Sequence, residues 1–244
     1  MQVSIYCNDN SSYIVETNRL CGEIEGSRLV HAQLRRVLGN MVEYSKPQFD
    51  SYAASLPPTS PEVLSDAEVC EMLQPVLTMG RDSKLDAKLL TTKILCDLST
   101  SETLQQILCD SGCLAVLIEL ATSESSLEVR QHALVALAQL STPIAYHETL
   151  IDVGIVPVLL NLEVDGSFES AEMRREIVRI LANLAARFGA KVVDAAGHPA
   201  IISWMETVAQ ITDDTRLKLH AARASEIFSG VIESNNNSEE APGV

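Results

Sequence analysis

Aromatic residues are scarce in this chain: four Phe, five Tyr and a single Trp among 244 residues. A β-sandwich core usually draws on aromatic and β-branched side chains, so this scarcity disfavours one. Basic residues are short as well. Eighteen Lys and Arg face 33 Asp and Glu, a formal net charge of −15. Binding nucleic acid through its phosphates needs a basic footprint, so no nucleic-acid partner is expected. An acidic exterior also repels anionic membranes. No apolar run approaches the roughly 18 residues that a membrane span requires, so no membrane insertion is expected. Met1 to Val15 has neither a basic n-region nor a long apolar core, so it does not read as a secretory signal.

The signatures of chemistry are missing too. No Gly-x-Ser-x-Gly elbow, Gly-x-x-x-x-Gly-Lys-Ser/Thr phosphate loop, Gly-x-Gly-x-x-Gly turn or His-Glu-x-x-His pair occurs. His31, His132, His147, His198 and His220 have no orienting partner evident in the sequence, and they read as surface or capping residues rather than catalytic bases. Asp213-Asp214 reads as a turn that caps the next helix. Six Cys are present: Cys7, Cys21, Cys70, Cys96, Cys109 and Cys113. None forms a Cys-x-x-Cys pair. Cys109 and Cys113 are interrupted by Gly112 and no His pair follows at metal spacing, so no metal or other cofactor is expected. Reduced thiols suit the cytoplasm, or the nucleus.

What is present is a repeat. Leu95-Cys96-Asp97-Leu98-Ser99, Leu137-Ala138-Gln139-Leu140-Ser141 and Leu181-Ala182-Asn183-Leu184-Ala185 begin at 95, 137 and 181, 42 and then 44 residues apart. Gly112, Gly154 and Gly197 follow them, 42 and then 43 apart. A period in the low forties filled with helix formers marks a helical solenoid, whose units touch only their neighbours and offer a continuous surface to a partner. In the slot held by Ala138 and Ala182, Cys96 reads as a small buried apolar residue.

Read along the chain, residues 1–27 are weakly patterned. Leu29, Val30, Leu34, Val37, Leu38, Met41 and Val42 fit one amphipathic helix over about 28–43. Pro47, Pro57, Pro58 and Pro61 then make a loop. Ser65 with Glu68 forms a capping box that restarts helix. From there to Ser229 the pattern is helical. The clearest unit has helices over about 113–122, 127–141 and 145–152. The next has a turn at Asp165-Gly166-Ser167 and helices over about 171–187 and 190–195. A Gly after each short helix suits a left-handed reversal, and Pro157 suits the first turn of the following helix. Asn235 to Gly243 is nearly devoid of apolar residues and reads as disordered. The expected domains are an irregular segment 1–66, a repeat domain 67–229 and a disordered tail 230–244.

Three helices per unit, the Gly before the middle helix and the Leu-Ala-Asn-Leu-type ending resemble the armadillo repeat. The strings Leu150-Ile151-Asp152-Val153-Gly154-Ile155-Val156-Pro157-Val158-Leu159-Leu160 and Val129-Arg130-Gln131-His132-Ala133-Leu134-Val135-Ala136-Leu137-Ala138-Gln139-Leu140-Ser141 carry the resemblance most clearly. It covers about 67–229 and implies an all-α, right-handed armadillo- or HEAT-like solenoid of about four repeats. The two-helix HEAT repeat is the alternative, and the short helix before each Gly favours armadillo.

The resemblance also implies a concave groove, lined by third helices, that holds extended peptides. Importin-alpha-like members carry a Trp and, four residues on, an Asn on those helices. Here the Trp slot holds Lys93, Val135, Arg179 and Arg223, and the Asn slot holds Asp97, Gln139, Asn183 and Ile227. The Trp ladder is absent, and Trp204 falls on a middle helix, where a core role is expected. This argues against recognition of basic import signals. The cations suggest an acidic or mixed-charge peptide instead, as in beta-catenin-like members. The expected contact residues are Lys93, Asp97, Val135, Gln139, Arg179, Asn183 and Arg223. The competing expectation is that each cation pairs with an acid on its own helix, as Lys93 would with Asp97. The function expected is a non-catalytic protein-interaction scaffold. The alternative is a regulatory or targeting module of a larger enzyme, motor or chaperone cofactor.

Overall fold

The computed structural model describes residues 2–6, 12–16, 66–124, 126–164, 170–196 and 200–239. The expected helix over 28–43, the proline loop, the Ser65 cap, the turn at 165–167, Gly197, His198 and His31 lie outside them. The chain divides into two compact units, Met1–Val116 and Leu117–Val244.

The first unit opens on a feature that the weak patterning hid. Strands β1 (Gln2–Tyr6) and β2 (Ser12–Glu16) pair antiparallel, with Val3 opposite Val15 and Ile5 opposite Tyr13. The signal was the short alternation Gln2-Val3-Ser4-Ile5, followed by the turn formers Asn8-Asp9-Asn10. Beyond that hairpin every described element is helical.

Helices α1 (Asp66–Gly80), α2 (Leu85–Ser99) and α3 (Glu102–Asp110) pack on one another. Val69, Leu73, Val76 and Leu77 recur at helical spacing on α1 and are buried, which makes one apolar stripe. Each such side chain contributes on the order of 2 kcal/mol when taken out of water. Buried Thr91 Oγ1 donates to the Val76 carbonyl at 3.2 Å, joining α2 to α1. Cys96 on α2 is half-buried rather than fully buried. Its counterpart Ala138 is completely enclosed.

Helix α4 (Cys113–Ala121) begins just after Gly112. In the second unit, α5 (Leu127–Leu140) starts at Ser126, whose hydroxyl accepts the Glu128 amide at 3.2 Å. A 3-10 turn, Ile144–Tyr146, leads into α6 (His147–Asp152) and α7 (Ile155–Val164). The α6 segment meets α7 at 75°. That reversal is made at Gly154, where φ is +81°, and Gly112 stands at +83°. Both lie in the left-handed region, which any Cβ disfavours, as their spacing predicted.

A long helix over about 171–187 and a short one over about 190–195 were expected, and α8 (Ala171–Ala196) has that division: its backbone leaves helical geometry at Phe188, whose φ and ψ are −123° and 34°. Helix α9 (Ala200–Ile211) and helix α10 (Thr215–Glu239) complete the unit. The tail expected from 230 is therefore helical as far as Glu239. The reason is that Asn and Ser weaken a helix without breaking it, and the first true breaker is Pro242. Asp214 caps α10 as the sequence indicated, its Oδ1 accepting the Arg216 and Leu217 amides at 2.9 and 3.2 Å. Those bonds, the Leu217 amide foremost, hold its carboxyl below the usual carboxylate range.

The long helix α8 is the centre of the second unit, packed by α5, α6, α7, α9 and α10. Its close approach to α10 depends on Gly189. A Cβ there would stand 3.0 Å from Ile227 Cγ2 and 3.3 Å from Val231 Cγ2.

Candidate interaction surface

Helix geometry decides which of the expected contact residues face outward. On α10, Leu217, Ala221, Ala224 and Phe228 are buried. At 100° per residue the opposite face carries Arg216, Leu219, Arg223 and Glu226, with His220 at its edge. All five are exposed, and Leu219 retains 68% of its accessible surface. From the sequence, Arg223 was expected as a contact residue and His220 as a surface or capping residue; Arg216 and Leu219 carry no signal in the repeat pattern.

Val135 and Gln139 are half-buried on α5, and Arg179 and Asn183 are half-buried on α8. Because α5 packs on α8 and α8 on α10, these residues and Arg223 lie on three helices of one unit that pack in series. Lys93 and Asp97 belong to the first unit, where both are half-buried on α2. Ile227 leaves the set. It packs against Gly189 instead of lining the outward face.

Electrostatics separates the three cations. Burial pushes the Asp97 carboxyl up to about 6, and the Lys93 charge pulls it back. The expected pairing of Lys93 with Asp97 is thus present as a charge interaction. Arg179 Nη1 lies 3.2 Å from Glu176 Oε2 on the preceding turn, with its side chain 31% exposed. The contact is not aligned as a hydrogen bond, and Arg179 Nε and Nη2 also lack hydrogen-bond partners. Burial raises the Glu176 carboxyl, while Arg179 and Arg175 oppose that rise. Arg175 reaches Asp214 Oδ2 at 3.6 Å. Among the described residues Arg223 forms no ion pair.

Asn183 has a structural tie. Its Nδ2 donates to Ser141 Oγ at 3.0 Å, linking α8 to the end of α5. His132 Nδ1 donates to the Glu128 carbonyl at 2.8 Å, and His220 is exposed. His147 departs from the expected surface position. It is 2% exposed, and its Nε2 donates to the Ser141 carbonyl at 2.8 Å. It does cap a helix, but from the inside. Trp204 is half-buried, with its indole Nε1 out of solvent.

Cys70, Cys96, Cys109 and Cys113 carry free thiols. Burial, with Asp110 adding to it, raises Cys109 to about 12. Burial pushes the enclosed Cys113 well up also. Among the described residues no cluster of three His, Cys, Asp or Glu is placed to hold a metal ion.

No protein-family model matches the chain, and no curated protein matches it. Solved structures do. A computationally designed armadillo repeat protein for modular peptide recognition superposes with a TM-score of 0.56 at 19% identity, over 84% of this chain and 96% of that one. The chain has an armadillo-like repeat fold. A designed armadillo repeat protein in complex with the peptide (KR)4 gives a TM-score of 0.54 at 19% identity, over 82% of this chain and 93% of its own. An engineered protein gives 0.55 at 23% identity over 68% of this chain, which spans 64% of that protein's length. At these identities the armadillo-like likeness concerns the fold. It settles the expected all-α solenoid and leaves the ligand to the side chains of this chain.

Proposed function

We propose that the protein is a non-catalytic interaction scaffold whose armadillo-like second unit holds an extended peptide or protein segment of acidic or mixed charge. The observation that carries this reading is the outward face of α10. Arg216 and Arg223 flank the exposed Leu219 there, with His220 at the edge and one acid, Glu226, three residues beyond Arg223, in a chain of net charge −15. A cationic, partly apolar strip on an acidic protein is complementary to a segment with carboxylates and one apolar side chain. Arg179 supports it with a side chain that stays 31% exposed beside Glu176. Asn183 and Gln139 supply neutral amides beside it, and Val135 supplies apolar surface. Lys93 and Asp97 would contribute a more balanced pair of charges in the first unit.

The acidic preference distinguishes this surface from that of the designed neighbour bound to (KR)4. Selection from a random peptide library on the immobilised full chain should enrich Asp and Glu. A selected peptide should then lose at least tenfold in affinity when Arg179→Glu and Arg223→Glu are combined, measured by fluorescence anisotropy at low salt. Enrichment of basic peptides, or unchanged affinity in the double variant, would overturn the reading.

A further inference from the structure

Two successive repeats use one buried device at the end of their third helix. Ser99 and Ser141, 42 positions apart, terminate α2 and α5. Six residues after each stands a buried donor. Gln105 Nε2 donates to the Ser99 carbonyl at 2.9 Å, and His147 Nε2 donates to the Ser141 carbonyl at 2.8 Å. Gln105 is 6% exposed and His147 2%. The serine hydroxyls match as well. Ser99 Oγ donates to the Cys96 carbonyl at 2.7 Å, and Ser141 Oγ to the Ala138 carbonyl at 2.8 Å. The donor satisfies a carbonyl that the helix end leaves open. The two repeats differ in one respect: an amide does not titrate, and an imidazole does.

A carbonyl oxygen only accepts, so Nε2 of His147 carries the proton and Nδ1 is bare in the neutral ring. That Nδ1 is buried and has no partner. A second proton would place both a charge and an unanswered N–H in the interior. Burial lowers the affinity of His147 for that proton, against the opposing pull of its bond to Ser141.

The surroundings offer no rescue. Phe188 on α8 presents its ring edge-on at 6.2 Å. Lys191, one turn on, lies 5.6 Å above that ring and is paired with Glu148, the carboxylate next to His147 in the chain. Asp152 on α6 also acts on Lys191. On α7 the one titratable residue is Glu163. The second half of α5, residues 133–140, has none, and the 3-10 turn has only Tyr146.

Ser141 is also the residue to which Asn183 is tied. We propose that His147 is a positioning residue for Asn183. Neutral, it holds the Ser141 carbonyl, and through Ser141 it fixes the Asn183 amide on the interaction surface. Protonated, it keeps its Nε2 donor but carries an Nδ1–H with no acceptor inside, which favours a ring turned out toward water; Ser141 then loses its anchor and Asn183 its fixed direction. The importance of Asn183 for a ligand rests on the function proposed above. The coupling itself does not. An unconstrained imidazole titrates near 6.5. Below that value the closed arrangement loses about tenfold in population per pH unit until the lowered folded value is reached.

The test uses the full chain without ligand. NMR would follow the His147 ring and the Asn183 side-chain NH2 pair, assigned by its loss in Asn183→Ser, between about pH 7.5 and 5. The two signals should move together with one midpoint below about 6.5. His147→Gln copies the Gln105 device and should keep the neutral-pH Asn183 signal while flattening its pH profile. Gln105→His should give α3 an acid-dependent loss of amide protection that it otherwise lacks. Movement of His147 without Asn183 in the wild type overturns the proposal even if the variants do not fold. So does an Asn183 profile unchanged in His147→Gln. Because no peptide is added, a positive result with no peptide binding would count against the proposed function alone.

Discussion

Asn183 and Ser141 stand 42 positions apart, and a 3.0 Å hydrogen bond from amide to hydroxyl joins them. Ser141 is fully enclosed. Its carbonyl, hydroxyl and amide are all engaged, with His147, Ala138 and Asn183, and Leu137. Ser141→Ala removes the hydroxyl from this arrangement and leaves a half-buried amide without its acceptor. We expect a loss of about 1–2 kcal/mol in urea-induced unfolding. Asn183→Ser should lose less, and the double variant should fall short of the sum because both changes break one bond. Strict additivity would show that the bond contributes nothing.

Asp97 is expected to weaken the first unit at neutral pH. Its folded carboxyl is raised to about 6 by burial, against the pull of Lys93, and an ordinary aspartate sits near 3.9. The folded state therefore binds the proton more tightly than the unfolded chain. Its contribution to stability is full below about pH 4 and is lost as pH rises to about 6. Asp97→Asn should raise the thermal midpoint at pH 7.5 by the equivalent of about 1 kcal/mol, allowing for solvent screening, and change little near pH 4. Equal effects at both pH values would exclude this cause.

One substitution should have opposite signs at two glycines. A Cβ added at Gly154 or at Gly230 meets nothing within 4 Å. Gly154 has φ +81°, so Gly154→Ala should cost about 1–2 kcal/mol in backbone strain alone. Gly230 lies inside α10, where Gly230→Ala should add about 0.5–1 kcal/mol through helix propensity. Chemical denaturation of both variants checks the pair.

Much of the fold was legible because the demands were local. Gly112 and Gly154 announce their left-handed turns through a spacing that no other residue type would hold. Asp213-Asp214 announces the α10 cap. The break expected after residue 187 is present as the kink at Phe188. The misreadings have local causes as well. The composition after Ser229 indicated disorder, although helix α10 meets no breaker before Pro242. The strands β1 and β2 are too short to stand out by alternation.

The candidate surface was legible only as slots. Period alone put Lys93, Arg179 and Arg223 in one column. The tertiary structure decided that Glu176 lies beside Arg179, that Asp97 shares the charge of Lys93, and that Arg223 is joined by Arg216, Leu219 and His220. It also turned Ile227 onto Gly189 and enclosed His147.

By itself the sequence determined the helical period, the turns and the acidic balance, since each depends on neighbours within a few residues. Contacts between residues some 42 positions apart were left to the tertiary structure. They set the burial of each side chain and the partner it meets, and hence whether a polar group at a repeated position holds the stack together or faces a ligand.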